Sequence, residues 1–204
     1  MSDKYFCWDL ETTSTDVTVD EPVEIGLTEV GLTGKFDIRS YFIATKVPMS
    51  RGAQKVHGIK AADYADGVDP KIMALSIDKY FQDHDIVGLV GFNLWKFDAP
   101  MLNNFIKRHG GKTNLFDYPI EDPALWYLAE QIFGEPRPTT NKEYERIANM
   151  RSPYGVKWNL KHVAETLKVK VPEGEFHRAA YDVAVTIEVW RKMRSISVRP
   201  KRSA

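Results

Sequence analysis

Asp9 and Glu11 stand two residues apart at the end of the apolar run YFCWDLE. In an extended strand, side chains at i and i+2 leave the same face. Two carboxylates would then share one small volume, repel each other and lose hydration, a penalty that a divalent cation would remove. The competing reading is a solvated strand end, because a D-x-E pair arises by chance in an acidic stretch. Asp98 precedes Pro100 where a helix should begin, so an ordinary N-cap is its structural alternative. Asp182 falls in a mostly apolar helical pattern from Ala179, where a buried carboxylate requires a partner. His177 lies five residues earlier. At about 100° per residue the two would be about 140° apart on one helix. The histidine is therefore expected before the helix or in its first turn, reaching the same cleft from another backbone direction. A reference pKa of about 6.5 lets it take a proton at neutral pH. A plain loop histidine following the turn-like PEG at 172–174 is the alternative.

The elements that must position these groups follow from pattern. YFCWDLE is apolar on both faces and reads as a central buried strand. Strands over 23–30 and 36–45 follow, separated by Gly31 and Gly34, and make a meander. Asp69 and Pro70 open a helix whose Met73, Ile77, Tyr80, Phe81 and His84 share one stripe. A short buried strand is expected over 86–92. The next helix carries Asp98, Leu102, Phe105 and Ile106 on one face and stops at Gly110 and Gly111. A strand over 118–121 leads to a helix over 123–133. Thr140 and Glu143 form a capping-box pattern inside the polar segment 134–157 and predict a short helix there. Leu160, Val163, Ala164 and Leu167 define another helix, and residues 179–193 the last. With no internal repeat, this order implies one α/β sandwich.

Composition narrows the class. A chain of 204 residues with 43% hydrophobic content encloses one substantial core. The sole cysteine, Cys7, excludes an internal disulfide and a cysteine-based zinc cluster and suits a cytoplasmic or otherwise reducing setting. No run approaches the roughly 18 apolar residues of a membrane span, and the N-terminus lacks a secretory pattern. Net charge is zero but unevenly spread. Residues 1–30 hold eight acids against one base, Lys4, whereas residues 191–204 hold six bases and no acid. The pattern fits a carboxylate-rich site beside a basic fringe, and equally solvated faces and tails.

The ordered segments DLETT (9–13), GFNLWKFDAPML (91–102) and HRAAYD (177–182) together resemble the three motifs of the DEDDh, or DnaQ-like, 3′–5′ exonuclease family. VHGI at 56–59 and NLKHVAETL at 159–167 add to the likeness, which runs from about Tyr5 to Arg191. The sister subtype carries tyrosine four residues before the last aspartate; Arg178 stands there, so His177 with Asp182 fits the histidine subtype. Departures are the long segment 134–157 and Pro123 after Asp122. The resemblance implies an RNase H-like three-layer sandwich with a five-stranded mixed sheet, its second strand antiparallel to the rest and helices on both faces. It implies an exonuclease domain over 1–194, with a polar insertion at 134–157 and a basic tail at 195–204. It further implies hydrolysis of single-stranded nucleic acid, DNA favoured, from 3′ ends to nucleoside 5′-monophosphates. An RNA-trimming enzyme of the same family, or a binding module without chemistry, is the alternative. All-oxygen ligands suit Mg2+ or Mn2+. Asp9, Glu11 and Asp182 would hold one ion, Asp9 would be shared with a second, and Asp98 would act through water. His177 would be the general base. Thr12, Thr13, Asn93, Trp95 and Phe97 would meet the terminal nucleotide. For Trp95, core packing is the alternative. A polymerase or another replication or repair protein is a candidate partner.

Overall fold

A computed structural model describes residues 3–171 and 176–196. The turn-like stretch 172–174 and the outer tail bases Arg199, Lys201 and Arg202 lie outside them. Five strands form one sheet in the order β3-β2-β1-β4-β5. They are β1 (Tyr5–Thr12), β2 (Pro22–Val30), β3 (Arg39–Phe42), β4 (Gly88–Val90) and β5 (Ile120–Glu121). β2 is antiparallel to β1 and β3, while β4 and β5 run parallel to β1 and to each other in sequence. This is the mixed α/β sheet expected from the sequence. β3 and β4 are shorter than the expected 36–45 and 86–92, because pairing with a neighbouring strand, rather than apolar content, sets strand length here.

Side-chain alternation on β1 separates the two helical layers. Phe6 packs against Tyr80 and Phe81 of α3 (Pro70–Asp83), with ring centroids 5.3 and 4.9 Å away. Tyr5, its neighbour, meets Trp190 of α8 (Ala179–Ser195) edge-on at 5.0 Å. Helices α3 and α8 therefore cover opposite faces, and Asp9 and Glu11, which share Tyr5's parity, face α8. Asp69 caps α3 by accepting from the Lys71 and Ile72 N–H groups, as expected. His84 is the exposed C-cap rather than part of the buried stripe.

Between β3 and α3 lie two short helices that the sequence reading lacked, α1 (Arg51–His57) and α2 (Ala61–Tyr64). α4 spans Asp98–Arg108. The helix expected over 123–133 is α5 (Pro123–Tyr127), continued as a π-helical turn over Leu128–Phe133. The capping box at Thr140 and Glu143 forms and opens α6 (Asn141–Asn149). Asn159 then caps α7 (Leu160–Thr166). No helix among the described residues is long and apolar enough to cross a membrane.

Candidate active site

The C-terminal end of β1 brings together residues distant in sequence. Asp9 pairs across to Gly26 and Glu11 to Glu24. Gly26 leaves the sheet bare beside Asp9, and the first turn of α8 rests on that gap. A Cβ on Gly26 would lie 2.6 Å from the Ala179 carbonyl carbon and 2.7 Å from the Ala180 nitrogen. A lone glycine inside a strand pattern signals such a close approach, and sequence reading had not used it.

Because α8 starts there, Asp182 in its first turn is held over β1. Its Oδ2 accepts from the His177 N–H at 3.1 Å. His177 precedes the helix, as expected, with φ +67°, a left-handed conformation uncommon for a non-glycine residue. Ligand atoms of Glu11, His177 and Asp182 all lie within 4.8 Å of one another. Asp98 joins from the other side of the strand: its Oδ1 accepts from the N–H of Leu10, between the two strand carboxylates, at 3.2 Å. The N-cap of α4 is Phe97, so the N-cap alternative for Asp98 does not hold.

The electrostatics of this cluster are unfavourable as they stand. Burial, then the charges of Asp98, Asp182, Glu11 and Glu24, holds the Asp9 carboxyl well above the ordinary range. Burial, then Asp182 and Glu24, raises Glu11 to about 8, with Arg178 opposing. Burial raises Asp98 to about 8 against the hydrogen bond from Leu10. Asp182 rises to about 6 through burial, opposed by the N–H and charge of His177. The Oδ1 of Asp182 is buried without a hydrogen-bond partner. An orphaned carboxylate oxygen among mutually repelling carboxyls is what an oxygen-ligated divalent cation fits.

The expected nucleotide-contacting residues fare unevenly. The Thr12 hydroxyl donates to the Ser14 carbonyl at 2.7 Å. Thr13 is fully buried; its hydroxyl donates to Asp20 at 2.9 Å and accepts from the Glu21 N–H at 3.1 Å. It therefore has no surface to offer a nucleotide and instead anchors the loop after β1. Trp95, half-buried, is stacked on Tyr144 at 5.7 Å and meets Phe116 edge-on at 5.4 Å. Phe97 is half-buried against the core. Asn93 has φ 59° and a buried Oδ1 with no partner.

Asp122 and Glu24 escaped the sequence reading as parts of the site, and His57 completes its surroundings. Asp122, fully buried, accepts from the N–H groups of Asn93 and Trp95, each at 3.0 Å, while also capping α5. It ties the loop before Asp98 to the next helix, and the Asp-Pro start of α5 was its visible signal. Glu24 is buried beside Glu11 and pairs with Arg178 at 3.1 Å. His57 accepts from the Ile59 N–H through Nδ1 at 3.0 Å, which leaves its Nε2 to donate to the Thr12 carbonyl at 3.3 Å. Both ring nitrogens are thus engaged, which makes His57 a structural strut, and burial depresses its pKa. A groove of about 550 Å3 lies on the α3 side, lined by Phe6, Leu27, Tyr41, Met73 and Tyr80, away from these carboxylates.

The sequence profile of the RNase T family, described as exonuclease, matches residues 6–190. No curated protein matches by sequence. Among solved structures, exonuclease I in its apo form superposes with TM-score 0.69 at 15% identity, over 96% of this chain and 42% of that one. Escherichia coli exonuclease I bound to a dT13 oligonucleotide gives TM-score 0.69 at 15% identity, over 95% and 41%. The zinc-bound form of the E. coli exonuclease I–single-stranded DNA complex gives 0.69 at 16%, over 96% and 41%. The chain thus spans about two fifths of the length of these structures. At such identities the superpositions speak for the fold, and the profile match over nearly the whole chain speaks for the family. The chain is an exonuclease domain of the RNase T, or DEDDh, family within the RNase H-like superfamily.

Proposed function

We propose that the chain is a metal-dependent exonuclease that removes nucleotides one at a time from the 3′ end of single-stranded nucleic acid, DNA favoured, releasing nucleoside 5′-monophosphates. The observation that carries this reading is the convergence of Asp9, Glu11, Asp98 and Asp182 at one strand end, their carboxyls pushed upward, beside an exposed histidine. In this reading Asp9, Glu11, Asp98 and Asp182 would hold the divalent cations, with Asp9, Glu11 and Asp182 as direct ligands and Asp98 acting through water. When bound, Mg2+ or Mn2+ would neutralise the carboxylates, activate water and stabilise the leaving oxygen of an in-line displacement. His177, exposed and within 4.8 Å of Glu11 and Asp182, takes the proton of the attacking water. Its backbone N–H is held by Asp182, which anchors the main chain from which the ring projects. The dT13 complex of a structural neighbour supports single-stranded DNA as the substrate class.

The test is release of mononucleotides from labelled strands. DNA and RNA oligonucleotides of one sequence, labelled at the 5′ end, are incubated with Mg2+, with Mn2+ or with EDTA. The reading expects a ladder shortening from the 3′ end, only with metal, and faster on DNA. A higher initial rate on RNA would assign the RNA-trimming alternative, and binding without cleavage would assign a non-catalytic module.

A further inference from the structure

Arg178 sits between His177 and the first residue of α8, in the N-cap position, yet makes no side-chain cap bond. Its guanidinium instead reaches across to β2. Nε lies 3.1 Å from Glu24 Oε2 and Nη2 3.1 Å from Glu24 Oε1, a two-pronged pair with the planar match that arginine and carboxylate offer. Ser40 on β3 donates to the same Oε1 at 2.8 Å, and the guanidinium lies 5.7 Å from the ring centre of Phe42. Glu24 is itself only 2% exposed and stands opposite Glu11 in the sheet register. The pair therefore links two strands, β2 and β3, to the chain segment that delivers both His177 and Asp182.

That segment needs holding. His177 has φ +67°, and left-handed backbone at a non-glycine residue persists only where its surroundings impose it. On one side the His177 N–H is bonded to Asp182; on the other, Arg178 is bonded to Glu24. Without Arg178, Glu24 would be a further unpaired carboxylate beside Glu11. We infer that Arg178 and Glu24 form a positioning latch that sets His177 and Asp182 over Glu11 for the reaction, with Arg178 acting through Glu24 and not as a contact for substrate phosphate. The inference rests on the exonuclease reading for its kinetic readout.

The test is a double-variant cycle of Arg178→Gln, Glu24→Gln and the pair. Misplacement by about 1 Å is enough to cost about 100-fold in rate, so each single variant should lower kcat by about that factor, with KM for the oligonucleotide nearly unchanged. The pair should lose no more than either single variant, because one interaction is removed in all three. Arg178→Lys keeps the charge without the two-pronged geometry and should fall between wild type and Arg178→Gln. A raised KM with kcat intact in Arg178→Gln would make it a phosphate contact and overturn the latch, as would losses that multiply. Melting curves identify any variant that has unfolded, in which case Arg178→Lys carries the comparison. Mn2+ affinity measured without nucleic acid separates the two possible failures. Supporting residues of this kind change metal affinity by about 10-fold or more. An inactive wild type whose Mn2+ affinity still drops that far in Arg178→Gln keeps the latch and loses the exonuclease reading. An active wild type matched by all three variants in kcat and Mn2+ affinity keeps the exonuclease reading and loses the latch.

Discussion

Asp78 on α3 and Asp98 on α4 expose the same small fraction of their surface, 7% each, and their helices pack together. Asp78 accepts from the N–H groups of Lys112 and Thr113, at 2.8 and 2.7 Å, and from the Gln82 amide at 2.8 Å. Burial pushes its pKa up, but the bonds from Thr113, Lys112 and Gln82 outweigh it and leave the carboxyl below the usual range. Asp98 accepts from the Leu10 N–H, shares its neighbourhood with other carboxylates, and is pushed up to about 8. Exposure to solvent is the same in the two places, but the Asp98 carboxyl lies deeper among protein atoms and meets fewer donors, and both differences push it up. A buried carboxylate surrounded by donors is finished as structure; one surrounded by other carboxylates is finished only by a cation. On β5 the half-buried Glu121 is likewise supplied with donors, by Arg194 and by the Trp190 ring N–H.

The largest effects should come from removing charge where donors are scarce. Asp9→Asn, Glu11→Gln and Asp182→Asn should each lower kcat by on the order of 1000-fold or more, since a lost metal ligand removes several kcal/mol of transition-state stabilisation. Asp78→Asn should leave kcat near wild type and cost about 1–3 kcal/mol of stability, read as a fall in Tm. Wild-type turnover in any of the first three, or a kcat collapse in folded Asp78→Asn, would break the contrast.

His177→Ala comes next. A general base contributes about 100- to 10,000-fold, so kcat should fall by that order while Mn2+ affinity is largely kept. A near wild-type rate at pH 7 would remove the base assignment, and lost Mn2+ binding would turn the histidine into a ligand. Gly26→Ala sharpens the packing side of the argument, because its Cβ would meet α8 backbone at 2.6 Å. Overpacking of that kind costs about 1–3 kcal/mol. Both Tm and kcat should drop, because the displaced turn carries Asp182.

The smallest effect concerns pH. Asp98 and Glu11 have folded-state pKa values of about 8, and Asp182 about 6, above their unfolded values. In metal-free protein the folded state binds the extra protons, so these groups favour folding below about pH 4. That contribution is lost as pH rises, up to about 6 for Asp182 and about 8 for the other two. Cations bind the ionised form, so the Tm gap between Mg2+ and EDTA samples should widen between about pH 5 and 8, reflecting a stability difference of about 2.7 kcal/mol at 100-fold excess over Kd. A gap independent of pH would mean that carboxylate ionisation and metal binding are unlinked.

The sequence was legible where one segment decides its own fate. The apolar run of β1, the Asp-Pro start of α3, the Thr140 capping box and the stripe of α4 each announce their elements, and the order of Asp9, Glu11, Asp98, His177 and Asp182 announces the family. What stayed hidden depends on a partner far along the chain. Helices α1 and α2 are too short for a periodic signal, and α1 is held at its start by the Ser50 N–H bonded to the Thr13 carbonyl. Thr13 carries a type suited to nucleotide contact, but its full burial and its bond to Asp20 depend on a residue beyond the strand. Gly26, Glu24 and Asp122 acquire meaning only once α8 and the loop 93–95 are placed against them.

Calorimetric titration of Mn2+ into the wild-type chain, Asp9→Asn and Asp78→Asn addresses the cluster without reference to substrate. Saturable binding should appear in wild type and Asp78→Asn and be lost or greatly weakened in Asp9→Asn. No binding to the wild type, or equal binding to all three, would contradict the reading of the β1 carboxylates as a metal site.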